Sequence, residues 1–120
     1  MKIKLGNDVK RQATIMRLGV AEDFSEATDI VVKVYKHNGN CGYITASFVR
    51  TDNVFDIYVL ASTLTLGVYD CEISYKTPDS NSPTGIASHS TSYSSMFTIV
   101  STDEEEDDEG QGIIMNVGYV

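Results

Sequence analysis

The stretch GVYDCEISYK at residues 67–76 decides the fold class, because its side chains from Tyr69 onward alternate between the face expected in a core and a polar face. Tyr69, Cys71, Ile73 and Tyr75 fall on one face, and polar residues fall on the other. A period of two is the pattern of a strand with one face in a core and one face in water. The stretch therefore predicts a half-buried β-strand.

The rest of the chain also favours strands over helices. Valine (12), isoleucine (10) and threonine (11) far outnumber leucine (5) and alanine (6). β-branched side chains suit a pleated sheet better than a helix, and no stretch carries sustained helical apolar spacing. Further strands are predicted at residues 2–5, 13–18, 30–36, 43–50, 54–60 and 93–100.

The turn signals between these runs predict how the strands connect. Asn38-Gly39-Asn40 separates two runs and predicts a hairpin of 30–36 with 43–50. TPDSNSPTGIASHS at 77–90 is rich in Ser, Pro, Asn and Gly, so it predicts a long exposed loop. Residues 21–29 predict a loop with one buried side chain, Phe24. Seven short strands without helices predict an antiparallel β-sandwich.

The alternation also predicts which side chains fill the core. They are Ile15, Ile30, Val32, Val34, Ile44, Phe48, Ile57, Tyr69, Cys71, Ile73, Phe97 and Ile99.

Charge divides the 120 residues into three parts. Residues 103–109 read DEEEDDE, and the rest of the chain carries 10 acids against 9 bases, so seven of the eight net negative charges lie in this run. We expect a sandwich domain at 1–100, an acidic tether at 101–112 and an apolar segment at 113–120. The net negative charge of the chain argues against binding to nucleic-acid phosphates. The sequence contains no apolar run of 18 residues, so no membrane-spanning helix is expected. The N-terminus lacks the apolar core of a signal peptide.

No group of residues predicts catalysis, a cofactor or a metal site. His37 and His89 have no spaced companion ligands, and both are expected to be solvated loop residues. The acidic run lacks the alternating ligands and the glycine of a calcium loop. No GxSxG elbow accompanies the serines. Cys71 alternates into the core while Cys41 lies in a turn, so no disulfide is expected. We expect a non-enzymatic protein made in a reducing cytoplasm.

Leu66-Gly67-Val68-Tyr69-Asp70-Cys71 resembles the G-x-Y-x-C strand of immunoglobulin-like (Ig-like) domains. In those domains, a tyrosine two residues before the cysteine bonds backbone upstream and forms the tyrosine corner. The resemblance implies an Ig-like sandwich in which Tyr69 bonds backbone near residues 64–66. The chain departs from true immunoglobulin domains in having no tryptophan and no partner cysteine about 50 residues upstream.

A second resemblance covers about residues 3–100. IKLGNDV (3–9), DFSEATDIVVKVYK (23–36), ASTLTLGVYDCEISYK (61–76) and MFTIV (96–100) follow each other in an order similar to the N-terminal domains of tailed-phage upper-baseplate and tail-fibre proteins. The resemblance implies a small Ig-like virion module that anchors or decorates a tail, baseplate, fibre or head. Its partners would be other virion structural proteins, in a homo-oligomer or symmetric assembly, and it would have no catalytic residue.

The apolar C-terminal segment leaves two interpretations open. Six of its eight residues are apolar: Ile113, Ile114, Met115, Val117, Tyr119 and Val120. An exposed apolar end is a liability that proteins cover. We expect these residues to dock on a neighbouring subunit by strand addition or by docking in a groove; the alternative is an extra strand on the chain's own sandwich. For the whole protein, the alternative function is a ligand- or carbohydrate-binding β-sandwich.

Overall fold

The computed structural model describes residues 1–37, 42–103 and 112–118, and these residues form an all-β protein. In chain order, the strands are β1 (Lys2–Lys4), β2 (Val9–Arg17), β3 (Val20–Ala21), β4 (Thr28–Lys36), β5 (Ile44–Thr45), β6 (Ser47–Thr51), β7 (Val54–Val59), β8 (Gly67–Pro78), β9 (Ile86–Val100) and β10 (Ile113–Val117). One turn of 3-10 helix, Ala61–Thr63, is the only helical element in the described ranges. The all-β class is confirmed, with ten strands where the sequence predicted seven.

The strands form two sheets that enclose one core. The first sheet has the order β1–β9–β8–β4–β5, and the second has the order β10–β2–β7–β6 with β3 beside β2. Two pairs, β1 with β9 and β10 with β2, are parallel, whereas the other pairs are antiparallel. The prediction of a wholly antiparallel fold was therefore wrong at both ends of the chain.

The predicted strand at 43–50 is two strands in different sheets. β5 pairs with β4 in the first sheet, which confirms the predicted hairpin, and β6 pairs with β7 in the second sheet. The buried Ala46 lies between them, and its N–H donates to the Val32 carbonyl at 2.8 Å. The chain passes from the first sheet to the second at this point without interrupting the alternation of its side chains. The sequence pattern therefore does not reveal the change of sheet.

Most of the predicted core is buried. Nine of the twelve side chains are inaccessible, and Ile30, Ile44 and Phe48 pack half-buried against the same cluster. Phe24 is also buried, as predicted for the 21–29 loop. The core further includes apolar side chains that the prediction omitted: Val9, Ala13, Phe55, Val59, Tyr75, Met96, Ile113, Met115 and Val117.

The predicted 77–90 loop is mostly a hairpin, so this prediction was wrong. β8 continues to Pro78 and β9 begins at Ile86, which leaves residues 79–85 as the turn. Residues 74–78 and 86–90 pair regularly, and we call this hairpin the arm. Serine and threonine on both faces give no apolar alternation, which is why the pattern was interpreted as a loop.

The predicted docking segment is a strand of the chain's own second sheet. β10 pairs in parallel with β2, from Ile113 opposite Ala13 to Val117 opposite Arg17. The expectation of docking on a neighbouring subunit is corrected here, because Ile113, Met115 and Val117 fill the chain's own core.

The other residues of that segment have different positions. Ile114 points outward with 61% of its surface exposed. Tyr119 and Val120 lie outside the described residues, as does most of the 101–112 tether. The boundary predicted at residue 100 matches the end of β9, but β10 belongs with the domain that precedes it.

Candidate functional site: polar clusters and exposed apolar ends

Tyr69 makes the contact that a tyrosine corner requires. Its hydroxyl accepts a hydrogen bond from the Thr65 N–H at 3.0 Å and donates to the Thr65 carbonyl at 3.2 Å. Its ring stacks on Phe97, with centroids 5.1 Å apart. The contact lies within the 64–66 segment that the sequence predicts, and it ties the chain entering β8 to the core.

One contact outside the β2 pairing also holds β10. The buried Thr91 hydroxyl donates to the Asn116 carbonyl at 2.7 Å, which joins β9 of the first sheet to β10 of the second. Gly118, directly after β10, has a φ of +64°, which favours glycine, and a Cβ there would displace the guanidinium of Arg17. The C-terminal strand is therefore joined to both sheets.

Arg17 and Glu22 form a bidentate ion pair at the base of the arm. The Arg17 Nε and Nη2 groups donate to the Glu22 carboxylate at 3.1 and 2.7 Å. Only 9% of the Glu22 side chain is exposed. The hydrogen bonds from Arg17 lower the pKa of Glu22 below its usual range. A bidentate pair with a mostly buried carboxylate fixes the relative orientation of its two side chains more closely than a surface salt bridge does.

The same carboxylate accepts a hydrogen bond from the buried Tyr75 hydroxyl. Burial, and then the bond to Glu22, raise the pKa of Tyr75 well above its usual value. The phenol therefore stays protonated and acts as a donor at neutral pH. A hydroxyl held in this state stabilises the charge of Glu22 and is unsuited to act as a base.

His89 extends this cluster, contrary to the expectation of a solvated loop residue. It lies on β9, where its Nδ1 is 3.3 Å from the Arg17 guanidinium and its Nε2 is 2.8 Å from the Thr77 hydroxyl. Its ring also packs at 5.1 Å from Tyr75. A cleft of about 240 Å³ opens beside these residues. No local pattern in the sequence indicates the cluster, since Tyr75 and His89 lie more than 50 positions from Arg17 and Glu22.

His37 is also paired rather than free in solvent. Its Nδ1 lies 2.9 Å from the Asp70 carboxylate, and the Ser94 hydroxyl is 3.4 Å from the same nitrogen. A serine–histidine–aspartate relay needs the two partners on opposite ring nitrogens. Here both partners approach one nitrogen, and Asp70 also accepts the Ser95 N–H at 2.7 Å. These contacts stabilise the irregular part of the β8–β9 pairing, and they do not place His37 to activate Ser94.

Other features of the described residues bear on metal and thiol chemistry. Within residues 1–37, 42–103 and 112–118, no three His, Cys, Asp or Glu side chains converge as metal ligands. Burial raises the pKa of Cys71 to about 12, so its thiol is unreactive at neutral pH. Cys41 lies outside the described residues. No helix in the described part of the chain is long and apolar enough to cross a membrane.

A groove of about 300 Å³ lies between the β4–β5 hairpin and residues 63–65. Its lining includes three tyrosines, Tyr35, Tyr43 and the mostly buried Tyr69, together with Lys36. The Tyr43 ring is 59% exposed. The groove combines aromatic surface with hydroxyl groups and one cation, which is the mixture found in small-ligand sites.

Three of the four exposed leucines in the described residues lie at one end of the molecule, and the fourth, Leu18, is 75% exposed in the turn at the far end of β2. Leu5, Leu60 and Leu66 are exposed by 39%, 63% and 50%. They follow β1, follow β7 and precede β8, and these three strand ends lie at the same end of the two sheets. We call this set the leucine end.

Hydrogen bonds hold the loops of the leucine end together. The Leu5 N–H donates to the Val100 carbonyl at 2.9 Å. The Ala61 N–H donates to the Asp8 carboxylate at 2.7 Å, which ties the loop after β7 to the loop before β2. The exposed leucines therefore project from fixed backbone.

Comparisons with known protein families, with curated proteins and with solved structures find no match. The site must therefore be interpreted from its own geometry.

Proposed function

We propose that this protein is a non-enzymatic Ig-like structural module of a virus particle, which anchors or decorates a tail, baseplate, fibre or head. The fold half of the proposal is supported by strand order. β9–β8–β4–β5 in one sheet and β2–β7–β6 in the other reproduce the G–F–C–C′ and B–E–D neighbours of Ig-like sandwiches. The tyrosine corner falls on β8, the strand that corresponds to F.

The observation that carries the functional half is the leucine end. Leu5, Leu60 and Leu66 are exposed at one end of the molecule on loops that hydrogen bonds tie together, and exposed apolar surface supports a role in contacts between proteins. The polar clusters around Glu22 and Asp70 serve packing between strands. An interaction module fits these features better than an enzyme does. The virus particle itself is an expectation from the sequence resemblance.

Incorporation into particles tests the proposal. Particles purified from cells that carry the encoding genome should contain the chain in stoichiometric amounts by mass spectrometry. Replacing Leu60 and Leu66 with serine should abolish its incorporation while leaving the melting temperature of the isolated protein nearly unchanged. Val20→Ser is the matched control, because Val20 is 68% exposed at the opposite end of the molecule. Absence of the wild-type chain from the particles would refute the proposal.

A second candidate function, recognition of a carbohydrate, is favoured by the tyrosine-lined groove. Sugars stack on exposed aromatic rings, and Tyr43 offers such a ring with the Lys33 ammonium 4.6 Å from its centroid. A glycan array tests this function directly. Tyr58 provides a matched control, since it is 37% exposed and carries Lys10 at 5.5 Å, yet it lies outside the groove. Binding that Tyr43→Ala removes and Tyr58→Ala retains would favour the carbohydrate function.

A further inference from the structure

β6 is an open edge of the second sheet. It pairs with β7 from Ser47 opposite Tyr58 to Thr51 opposite Val54, without an irregularity in register. On its other side, no strand pairs with it among the described residues. Unpaired N–H and C=O groups along such an edge are a template for another strand, and proteins commonly blunt them with proline, bulges or inward-pointing charges. β6 has no proline and no bulge.

The sequence of β6 is complementary to itself in the antiparallel direction. If two copies of Ser47–Thr51 pair about a two-fold axis through Val49, Ser47 lies opposite Thr51 and Phe48 lies opposite Arg50. Both arrangements are favourable cross-strand pairs: hydroxyl with hydroxyl, and cation with aromatic ring. A symmetric contact requires self-complementarity of this kind.

The side chains of β6 already adopt positions suited to this pairing. Phe48 is half-buried, and its ring lies 5.2 Å from Phe55. Arg50 directs its guanidinium towards the same aromatic cluster, 5.5 Å from the Phe24 ring. The inward position of Arg50 is therefore satisfied by aromatic contacts and does not block the edge. On the outer face, Val49 is 57% exposed and would meet its symmetry mate.

We propose that two copies of this chain join through β6, in antiparallel register centred on Val49, and form one continuous sheet across the two-fold axis. The contact adds main-chain hydrogen bonds and the Phe48–Arg50 pairs, and it buries the two Val49 side chains. Its area is that of a single strand edge, so the dimer is weak and depends on concentration. The proposal stands on the edge geometry alone and does not depend on the virus particle.

Disulfide trapping in the full chain tests the register. In a Cys41→Ser background, Val49→Cys places two thiols opposite each other on the axis. Opposed residues in antiparallel strands have Cα atoms about 4.5–5.5 Å apart, within the range that a disulfide spans. Mild oxidation should therefore convert most of the Val49→Cys protein to a covalent dimer.

Ile114→Cys in the same background is the matched control, because Ile114 is 61% exposed on β10 at the far side of the same sheet. It should stay monomeric. Equal cross-linking of the two variants, or none with Val49→Cys, would overturn the proposal.

Sedimentation of the unmodified chain gives an independent measurement. We expect a dimer fraction that rises with protein concentration. The double substitution Ser47→Lys and Thr51→Lys should abolish it, because it places like charges opposite each other. Both positions are exposed, so the variant should fold. The same charge added at the exposed Ser90 and Ser92 of the first sheet should leave the dimer intact. A wild-type chain that stays monomeric at all concentrations would refute the proposal.

Discussion

β10 and the arm are both strands at the margins of the molecule, but different forces hold them. β10 alternates buried and exposed residues, and three of its five residues are at least 97% buried. The arm has one buried side chain, Tyr75, and its other nine residues are half-buried or exposed. Burial therefore fixes β10, whereas cross-strand hydrogen bonds and the polar cluster of Arg17, Glu22, Tyr75 and His89 fix the arm.

The difference shows that an apolar segment and a polar segment can both form strands at the margin of the molecule, the first held by burial and the second by hydrogen bonds. Apolar burial contributes about 25 cal/mol for each Å² removed from water, so β10 should resist opening. Hydrogen bonds contribute only about 0.5–1.5 kcal/mol each after the loss of their bonds to water. The arm should therefore open more readily than β10, and substitutions should separate the two regions.

The largest effect should come from the buried face of β10. Met115→Ala should lower the free energy of unfolding by about 2–5 kcal/mol, because it removes buried apolar atoms and leaves a cavity. Ile114→Ala, one residue earlier on the exposed face, should change it by less than about 0.5 kcal/mol. Urea denaturation of both variants makes the measurement. Equal effects would show that β10 does not pack on the core.

The base of the arm should be less sensitive than β10. Tyr75→Phe keeps the buried ring and removes the donor to the Glu22 carboxylate, so it should cost about 1.5–3 kcal/mol as a hydrogen bond to a charged group. Tyr58→Phe is the control, since that side chain is 37% exposed on the outer face of β7. A Tyr75→Phe denaturation midpoint equal to that of the wild type would mean that the cluster does not secure the arm.

The ion pair gives the arm a dependence on pH. The pKa of Glu22 is lowered in the folded state, so its stabilising contribution is complete above the unfolded value of about 4.3. The contribution is lost as the pH falls from there through the folded pKa. Glu22→Gln should therefore be less stable than the wild type at pH 7, and the gap should narrow below about pH 4. Parallel curves from pH 7 to 3 would contradict the assignment.

The tyrosine corner should show the smallest effect. Tyr69→Phe retains the stack on Phe97 and removes only the bonds to Thr65, so it should cost about 0.5–1.5 kcal/mol. Thermal denaturation would measure this cost. A melting temperature unchanged from that of the wild type would indicate that water replaces those bonds without loss.

Strict alternation made part of the fold predictable. Tyr69, Cys71, Ile73 and Tyr75 are buried as a set because a period of two fixes the face of each residue once the strand is recognised. For Ile113, Met115 and Val117 a strand was among the expectations, but alternation does not indicate whether a strand pairs within its own chain or on a neighbour. Their position after an acidic run led to the docking interpretation.

The polar clusters could not be predicted from the sequence. Arg17 and Glu22 lie five residues apart, but Tyr75 and His89 reach them only because β8 and β9 pass over the turn after β2. Nothing in the local sequence reports a contact between residues more than 50 positions apart. The Ig-like assignment and the virion function rest on resemblance, and they stay predictions.

Amide hydrogen exchange in the monomeric full chain tests most directly whether β10 is part of the same domain as β2. The β10 amides that bond to β2 should exchange as slowly as those of β2, and those of the arm at residues 86–90 should exchange faster. Exchange of the β10 amides at the rate of an unfolded peptide, with β2 still protected, would contradict the account.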